Sequence, residues 1–183
     1  IRDTVTRLMP LQYEVTYNFD VMIVSDDNEA LMEYLDDNKV RAYINPMISN
    51  IKVINEDGRE ESVQLIVVPN DESLRGYIQL IDRDGNKVNL EDDMVLSTIN
   101  VAEVQGYDKG DTITLQNMDL LNAEVEVSEI VMNYLGNAIY MTENTYAEYF
   151  DECEANGAYV MLNKGVGSHE EYAKAMGRSI KLL

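Results

Sequence analysis

Residues 94–150 read MVLSTINVAEVQGYDKGDTITLQNMDLLNAEVEVSEIVMNYLGNAIYMTENTYAEYF, and this pattern predicts a definite order of elements. A helical turn at 102–106 and a tight turn through Gly110 follow the first apolar run, a second turn lies at 134–136, and a helix is expected at 145–150. Short apolar runs and period-two alternation predict four strands, at 94–96, 112–115, 123–131 and 138–142.

The N-terminal part of the chain adds a further strand and a further helix. An apolar run at 19–24 is typical of a buried strand. Ser25 or Asp26 is expected to cap a helix over 28–37, because short side chains with an oxygen acceptor satisfy the first free N–H groups of a helix.

Two more strands are predicted around Asp57–Gly58, a dipeptide that favours a tight hairpin turn. The residues at 40–55 are rich in β-branched side chains, although Pro46 indicates an edge or a bulge because proline has no N–H to donate. The partner strand is expected at 61–68.

Apolar stripes at helical spacing predict a helix at each end of the chain. The first covers 1–17, where Pro10 predicts a kink or a break. The second begins after Ser168, with Glu171 completing a capping box, and follows a short buried strand at 159–162. The stripes contain Val5, Leu8, Gln12, Tyr172, Met176 and Ile180.

Composition restricts the class of protein and its partners. With 183 residues the chain is long enough for one domain or two small lobes, at roughly 150 residues per domain. The chain is 45% hydrophobic and 26% charged, which is typical of a globular protein. Its net charge of -20 repels phosphate backbones and argues against nucleic-acid binding.

Interleaved strands and helices without a regular repeating unit predict an α+β fold. After the helix at 1–17, two lobes are expected. An α/β lobe is formed by 18–70 together with 151–183, and a β-rich lobe of 71–150 is inserted between these two parts.

Cys153 and His169 are the single cysteine and histidine of the chain. A lone histidine does not build a multi-histidine metal site, and His169 is expected to be exposed in the first turn of the final helix. Cys153 has no partner for an internal disulfide, and the neighbouring carboxylates are expected to raise its pKa. Catalysis by a Cys–His couple is therefore not expected.

Acidic residues supply the remaining candidate sites. Residues 82–86 faintly resemble a calcium loop, but Lys87 stands where an EF-hand needs glycine, so a hairpin turn is favoured. Weak calcium binding by 91–93 stays open. Adjacent carboxylates could perform acid–base chemistry, but in so acidic a chain most are expected on solvated faces. The pairs are Asp26–Asp27, Asp36–Asp37 and Asp92–Asp93.

In order, several pieces of the last half of the chain resemble the extracytoplasmic domain of FtsX-like, MacB-type ABC transporter permeases. They are KGDTI at 109–113, VEVSEIV at 125–131, YLG at 134–136, IYM at 139–141 and YAEYF at 146–150. The resemblance implies a porter-like α/β lobe with an inserted β-rich lobe and helices at both termini.

The resemblance also implies a function and a location. The domain would be non-enzymatic, would need no metal or cofactor, and would lie on the extracytoplasmic side of the cell membrane, anchored by membrane helices at both ends. A cytoplasmic ATP-binding subunit would drive those helices, and the external partner would be a substrate peptide, a lipid or an accessory protein. The two terminal stripes would form the coupling stalk, through Val5, Leu8, Gln12, Tyr172, Met176 and Ile180.

Two functions of other classes stay open. One is a free-standing extracellular binding or sensing domain, and the other is a small acidic hydrolase with a carboxylate pair in a concave pocket. The permease hypothesis requires the two ends of the chain to leave the fold on one side, which neither alternative requires.

Overall fold

The computed structural model describes residues 21–25, 27–69, 74, 77–132, 136–163 and 180–182. Within them the chain forms short helices and strands, which confirms the predicted α+β class. The helices are α1 Asn28–Leu35, α2 Ile99–Gln105 and α3 Glu143–Tyr149. The strands are β1 Val21–Ser25, β2 Val40–Ile44, β3 Met47–Ile54, β4 Glu60–Val68, β5 Leu80–Ile81, β6 Lys87–Val88, β7 Leu96–Thr98, β8 Thr112–Gln116, β9 Asn122–Glu126, β10 Glu129–Val131, β11 Ala138–Thr142, β12 Gly157–Leu162 and β13 Ile180–Leu182.

These strands form two main sheets and one small hairpin. A four-stranded antiparallel sheet has the order β13-β1-β12-β2. A seven-stranded mixed sheet has the order β10-β7-β11-β4-β3-β8-β9, with parallel pairing of β11 to β4 and of β10 to β7. The hairpin consists of β5 and β6. The larger sheet therefore uses only strands between Met47 and Thr142, while the smaller one combines strands from both sides of that segment.

The β3–β4 hairpin confirms the turn predicted at Asp57–Gly58. Gly58 has φ +82°, a conformation that costs glycine little because it lacks a Cβ atom. The Asn55 side chain accepts hydrogen bonds from the backbone N–H groups of Asp57 and Arg59, which fixes the loop. Eight residue pairs then match in register along the two strands, from Met47↔Val67 to Ile54↔Glu60.

Pro46 marks the passage from one sheet to the other. The β-branched run at 40–55 was expected to form one strand with an edge or bulge, but it divides into β2 in the small sheet and β3 in the large one. The reason is that proline cannot donate to a ladder, so the ladder is interrupted there. The sheets thus separate at Pro46, whereas the predicted lobes separate at residue 70; the division into lobes stays a prediction.

The second connection between the two sheets, which runs from α3 to β12, lies against the first connection at Pro46. The carbonyl of Pro46 accepts hydrogen bonds from the N–H groups of Asn156 and Gly157. The Asn156 side chain bonds the backbone of Ile48, and the backbone carbonyl of Asn156 accepts from the N–H of Ser25. The two connections between the sheets are therefore fastened to each other at one junction.

Buried side chains join the sheets as well. Ile44 and Tyr159 of the small sheet pack in one cluster with Ile66, Leu96 and Tyr140 of the large sheet. A second cluster lies between the large sheet and helices α2 and α3, and a third between α1 and the small sheet. The apolar contact between the sheets favours their moving together.

Several predicted boundaries are corrected. Asp27, rather than Ser25 or Asp26, caps α1 by accepting from the N–H groups of Glu29 and Ala30. The helix expected at 145–150 begins at Glu143 because the Thr142 side chain caps it. The strand expected at 123–131 is interrupted after Glu126, giving β9 and β10.

The terminal predictions are tested only in part. The helix at 1–17, the start of the final helix at Ser168, and Val5, Leu8, Gln12, Tyr172 and Met176 lie outside the described residues. Ile180 was expected on that final helix, and this is wrong because Ile180–Leu182 forms β13. The edge of β1 offers backbone partners to this segment, and such tertiary pairing overrides a local helical pattern.

Candidate functional site

The first and last described strands, β1 and β13, are neighbours. They pair antiparallel, with Ile23 opposite Leu182, Val24 opposite Lys181 and Ser25 opposite Ile180. Because the strands are antiparallel, the chain enters β1 and leaves β13 at the same end of the small sheet. Within the described ranges no helix is both long enough and apolar enough to span a membrane.

A candidate interaction surface lies at the loop between β8 and β9, residues 117–121, which we call the apolar turn. Its sequence is Asn-Met-Asp-Leu-Leu. Met118 is 67% exposed, Leu120 72% and Leu121 40%. Large apolar side chains exposed singly are ordinary, but three in a five-residue turn form a patch of the kind found at binding surfaces.

The buried side chain of Asn117 holds the apolar turn in one conformation. Its Oδ1 accepts hydrogen bonds of 3.0 Å from the N–H groups of Asp119 and Leu121, and its Nδ2 donates to the hydroxyl of Tyr146 on α3 at 3.2 Å. The backbone N–H of Asn117 also donates to the carbonyl of Leu121. The turn is thus fixed both internally and to the body of the domain.

The backbone of Leu120 lies in the left-handed region, with φ +64°. For a residue with a Cβ atom this conformation costs about 1–2 kcal/mol. Glycine or asparagine would adopt it more easily, and burial does not explain the leucine because its side chain is exposed.

A cavity of about 210 Å³ adjoins the apolar turn. Its wall includes Ile51 of β3, Gln116 of β8, and Met118 and Leu120 of the turn, together with Asn50, Lys52, Ser62 and Asn117. An engineered apolar cavity of roughly 150 Å³ binds benzene, so this space is large enough for one large apolar side chain.

The charges around the apolar turn are mainly negative. Asp119 is exposed in the turn itself. Burial is the main cause that raises the pKa of the Tyr146 hydroxyl, and the charges of Cys153, Asp119 and Asp151 add to it. Glu124 is exposed on β9. Lys52 is the cation of the cavity wall, and its Nζ lies 3.5 Å from Glu60 Oε2, which offsets its charge.

A carboxylate cluster lies at the start of α3. Asp92 accepts hydrogen bonds from Thr142 at 2.5 Å and from Asn144 at 3.0 Å, and these bonds, Thr142 first, lower its pKa. A hydrogen bond with Asp93, and then the negative charge of Asp93, raise the pKa of Glu148. Asp93 and Glu148 are the carboxylate pair that the hydrolase hypothesis would use, and both are exposed at the surface. Beside them, Asp92 fastens the 91–94 turn to the start of α3.

Among the other predicted acidic sites, those that the structure describes act as turns and caps, and Asp26 lies outside the described residues. Residues 82–86 form the β5–β6 hairpin turn, as favoured, with the Asp82 side chain accepting from the N–H groups of Asp84 and Asn86. Asp27 caps α1, and Asp37 accepts from the N–H of Lys39. In the described part of the chain no group of three His, Cys, Asp or Glu side chains is arranged to hold a metal ion.

Cys153 is half-buried against the main core. Burial, followed by the charge of Glu143, raises the pKa of its thiol to about 11. The raised pKa agrees with the prediction, but its main cause is burial, whereas the carboxylates adjacent in sequence were expected to cause it. His169 lies outside the described residues.

Sequence reasoning missed the apolar turn, although a signal was present. Residues 118–121 place Met, Leu and Leu between two strands of alternating pattern, where Gly, Asn, Asp or Ser would be ordinary. Apolar side chains in a short hairpin loop are too far from the core to be buried there. Their presence at 118–121 therefore indicates an exposed apolar surface.

Comparison with known proteins identifies the fold. No family model and no curated protein matches the sequence. The extracellular domain of the noncanonic ABC-type transporter YknZ from Gram-positive bacteria is similar in structure, with a TM-score of 0.54 over 89% of this chain and 98% of that chain, at 10% identity. The periplasmic region of MacB from Actinobacillus actinomycetemcomitans is similar as well, with a TM-score of 0.52 over 93% and 91% of the two chains, at 8% identity. The predicted fold, that of ABC transporter permease extracytoplasmic domains, is therefore confirmed.

Proposed function

We propose that this chain is the extracytoplasmic domain of an ABC transporter permease of the FtsX-like kind, connected to membrane helices at both of its ends. The observation that carries the proposal is the pairing of β1 with β13. It brings the two ends of the described chain to one end of one sheet, as a domain suspended between two membrane connections requires.

The same pairing provides a route for coupling. A displacement of either connection would act on β1 or β13, and β1 is also paired with β12. At the start of β12, Asn156 and Gly157 are hydrogen-bonded to Pro46 and Ile48, which lead into the large sheet. A motion of the membrane helices would therefore reach the large sheet through strand pairs and the junction.

The partners follow from this role. A cytoplasmic ATP-binding subunit would act through the membrane part of the permease, and the large sheet would meet a substrate peptide, a lipid or an accessory protein. The stripes with Val5, Leu8, Gln12, Tyr172 and Met176 stay the predicted coupling stalk. Ile180 keeps its place in the coupling route as the first residue of β13.

The location can be tested by labelling the full-length gene product in cells. Asp119 is replaced by cysteine in a Cys153→Ser background, and intact cells with any outer membrane permeabilised are treated with a maleimide that does not cross the inner membrane. We expect labelling without lysis and recovery of the protein in the membrane fraction. Labelling only after lysis would contradict the proposal.

The same preparation separates the alternatives. Recovery of the full-length protein from the medium or in soluble form would favour the sensing domain. Co-purification of an ATP-binding subunit from detergent extracts is expected for a permease. For the hydrolase, Glu148 is the group to replace, and a hydrolytic activity lost in Glu148→Gln would contradict a non-enzymatic role.

A further inference from the structure

We propose that the apolar turn and its cavity dock a cationic segment of a protein partner, with one large apolar side chain of that segment seated in the cavity. The inference rests on the proposed function, because that function places the large sheet where an external protein can reach it. It specifies the kind of partner and the residues that meet it.

The apolar side chains of the turn belong to none of the three hydrophobic clusters of the described fold. Met118 and Leu120 are exposed, whereas core residues on the flanking strands, such as Leu115 and Val125, are fully buried. Leu120 also occupies a left-handed backbone position that disfavours it. An exposed apolar side chain kept at a conformational cost is accounted for when a partner covers it.

The cavity fixes the size of the anchor. At about 210 Å³ it exceeds the roughly 150 Å³ that accepts a benzene molecule, so a tryptophan, phenylalanine or leucine side chain is the expected occupant. Large side chains seated in a pocket typically dominate the affinity of such contacts.

The charges around the cavity indicate which residues of the partner segment stand on either side of its anchoring side chain. Asp119 is exposed within the turn, Glu124 is exposed on β9, and Lys52 is paired with Glu60. A segment with Lys or Arg on both sides of its anchor would face opposite charges here, whereas an acidic segment would be repelled. The same charges oppose docking of an anionic lipid surface.

The turn is prepared for binding before a partner arrives. Asn117 holds the backbone at Asp119 and Leu121 and is itself bonded to Tyr146. Little conformational freedom remains to be lost on binding, which favours affinity.

The test uses fluorescent peptides with a central Trp, Phe or Leu flanked by lysines, titrated into the 183-residue chain by anisotropy. We expect at least one peptide to bind, and Met118→Ser and Leu120→Ser each to weaken it by about tenfold. Met32→Ser and Val104→Ser are matched controls, because these side chains are 50% and 57% exposed at other places, and they should leave binding unchanged. The melting temperature of each variant confirms that it is folded.

Other results would overturn the proposal. Binding that is equally strong in all four variants would mean general attraction to an acidic protein, and absence of binding by all three peptides would mean that the surface does not accept such a segment. If the chain bound zwitterionic vesicles, and lost this binding in Met118→Ser and Leu120→Ser, the occupant would be a lipid surface. A dimer that dissociates in Leu120→Ser would make it a second copy of this chain. None of these outcomes depends on the cell-labelling result, so the two proposals can fail separately.

Discussion

The side-chain amide of Asn156 makes two hydrogen bonds of 2.7 Å to Ile48, accepting from its N–H and donating to its carbonyl. It thereby occupies the place of a neighbouring strand at the start of β3. Asn156→Ala leaves both backbone groups without this partner, and we expect the free energy of unfolding to fall by about 2–4 kcal/mol. Urea denaturation measures the change. Asn163→Ala is the control, because it removes one exposed bond to Asn38 and should cost under about 1 kcal/mol.

Gly157 has no room for a side chain. A Cβ atom there would lie 2.6 Å from the carbonyl oxygen of Ile23 and 3.0 Å from Cδ1 of Ile48. Gly157→Ala must therefore displace β1 or β3, and a loss of more than about 2 kcal/mol is expected. Gly58→Ala has free space around the new atom and suffers only from its positive φ, so its cost should be about 1 kcal/mol. Equal melting temperatures for the two variants would argue against this close approach.

Leu120 is a position where stability can be gained at the expense of binding. Leu120→Asn relieves the left-handed backbone, since asparagine adopts this conformation readily, and we expect the unfolding free energy to rise by about 1 kcal/mol. The variant should at the same time bind the lysine-flanked peptides less well. Leu121→Asn, at a residue without positive φ, should give no gain in thermal denaturation.

The raised pKa of Glu148 makes the free energy of unfolding depend on pH. Its hydrogen bond with Asp93 and the charge of Asp93 raise its pKa in the folded protein, so the folded state favours the protonated form. This contribution is complete below the ordinary pKa of glutamate and is lost as pH rises through the raised value. Glu148→Gln keeps a donor at every pH, and its melting temperature should exceed that of the parent at about pH 7 but not at about pH 4. Glu152→Gln removes one exposed charge a few positions further along the chain, and an identical pH profile for it would contradict the role of Asp93.

The pairing of β1 with β13 can be tested with a disulfide. Val24 and Lys181 are directly opposite, and opposite residues of antiparallel strands have Cβ atoms roughly 4.5–5.5 Å apart, near the range that a disulfide spans. In a Cys153→Ser background, Val24→Cys with Lys181→Cys should oxidise to a cross-linked monomer with altered mobility on non-reducing gels. Lys52→Cys with Lys181→Cys, on strands of different sheets, should stay reduced.

Local chemistry allowed much of the fold to be predicted. The hairpin at Asp57–Gly58 and the strand–helix pair at the end of the 94–150 segment depend on turn and cap residues a few positions apart. Such preferences act over one turn of chain, and a sequence displays them directly. The fold that the structural comparisons confirm was predicted from the resemblance of motifs in that segment to FtsX-like, MacB-type permease domains.

What escaped prediction depends on partners distant in sequence. Ile180 follows a helical stripe, but its backbone pairs with Ser25, more than a hundred residues away. Pro46 indicated an interrupted ladder without revealing that the chain there enters another sheet. The apolar turn was missed for a related reason, since the exposure of Met118 and Leu120 is known only once the two flanking strands are placed.

The position of β1 has a consequence for the order in which the domain folds. This strand lies between β12 and β13, both of which come from the far end of the chain. During synthesis or export β1 therefore emerges early and has no strand to pair with until residues beyond 157 follow. The large sheet, whose strands lie between Met47 and Thr142, needs no such delay and is expected to form first. Closure of the small sheet around β1 would then be the late step, and pairings so distant in sequence are slow to form.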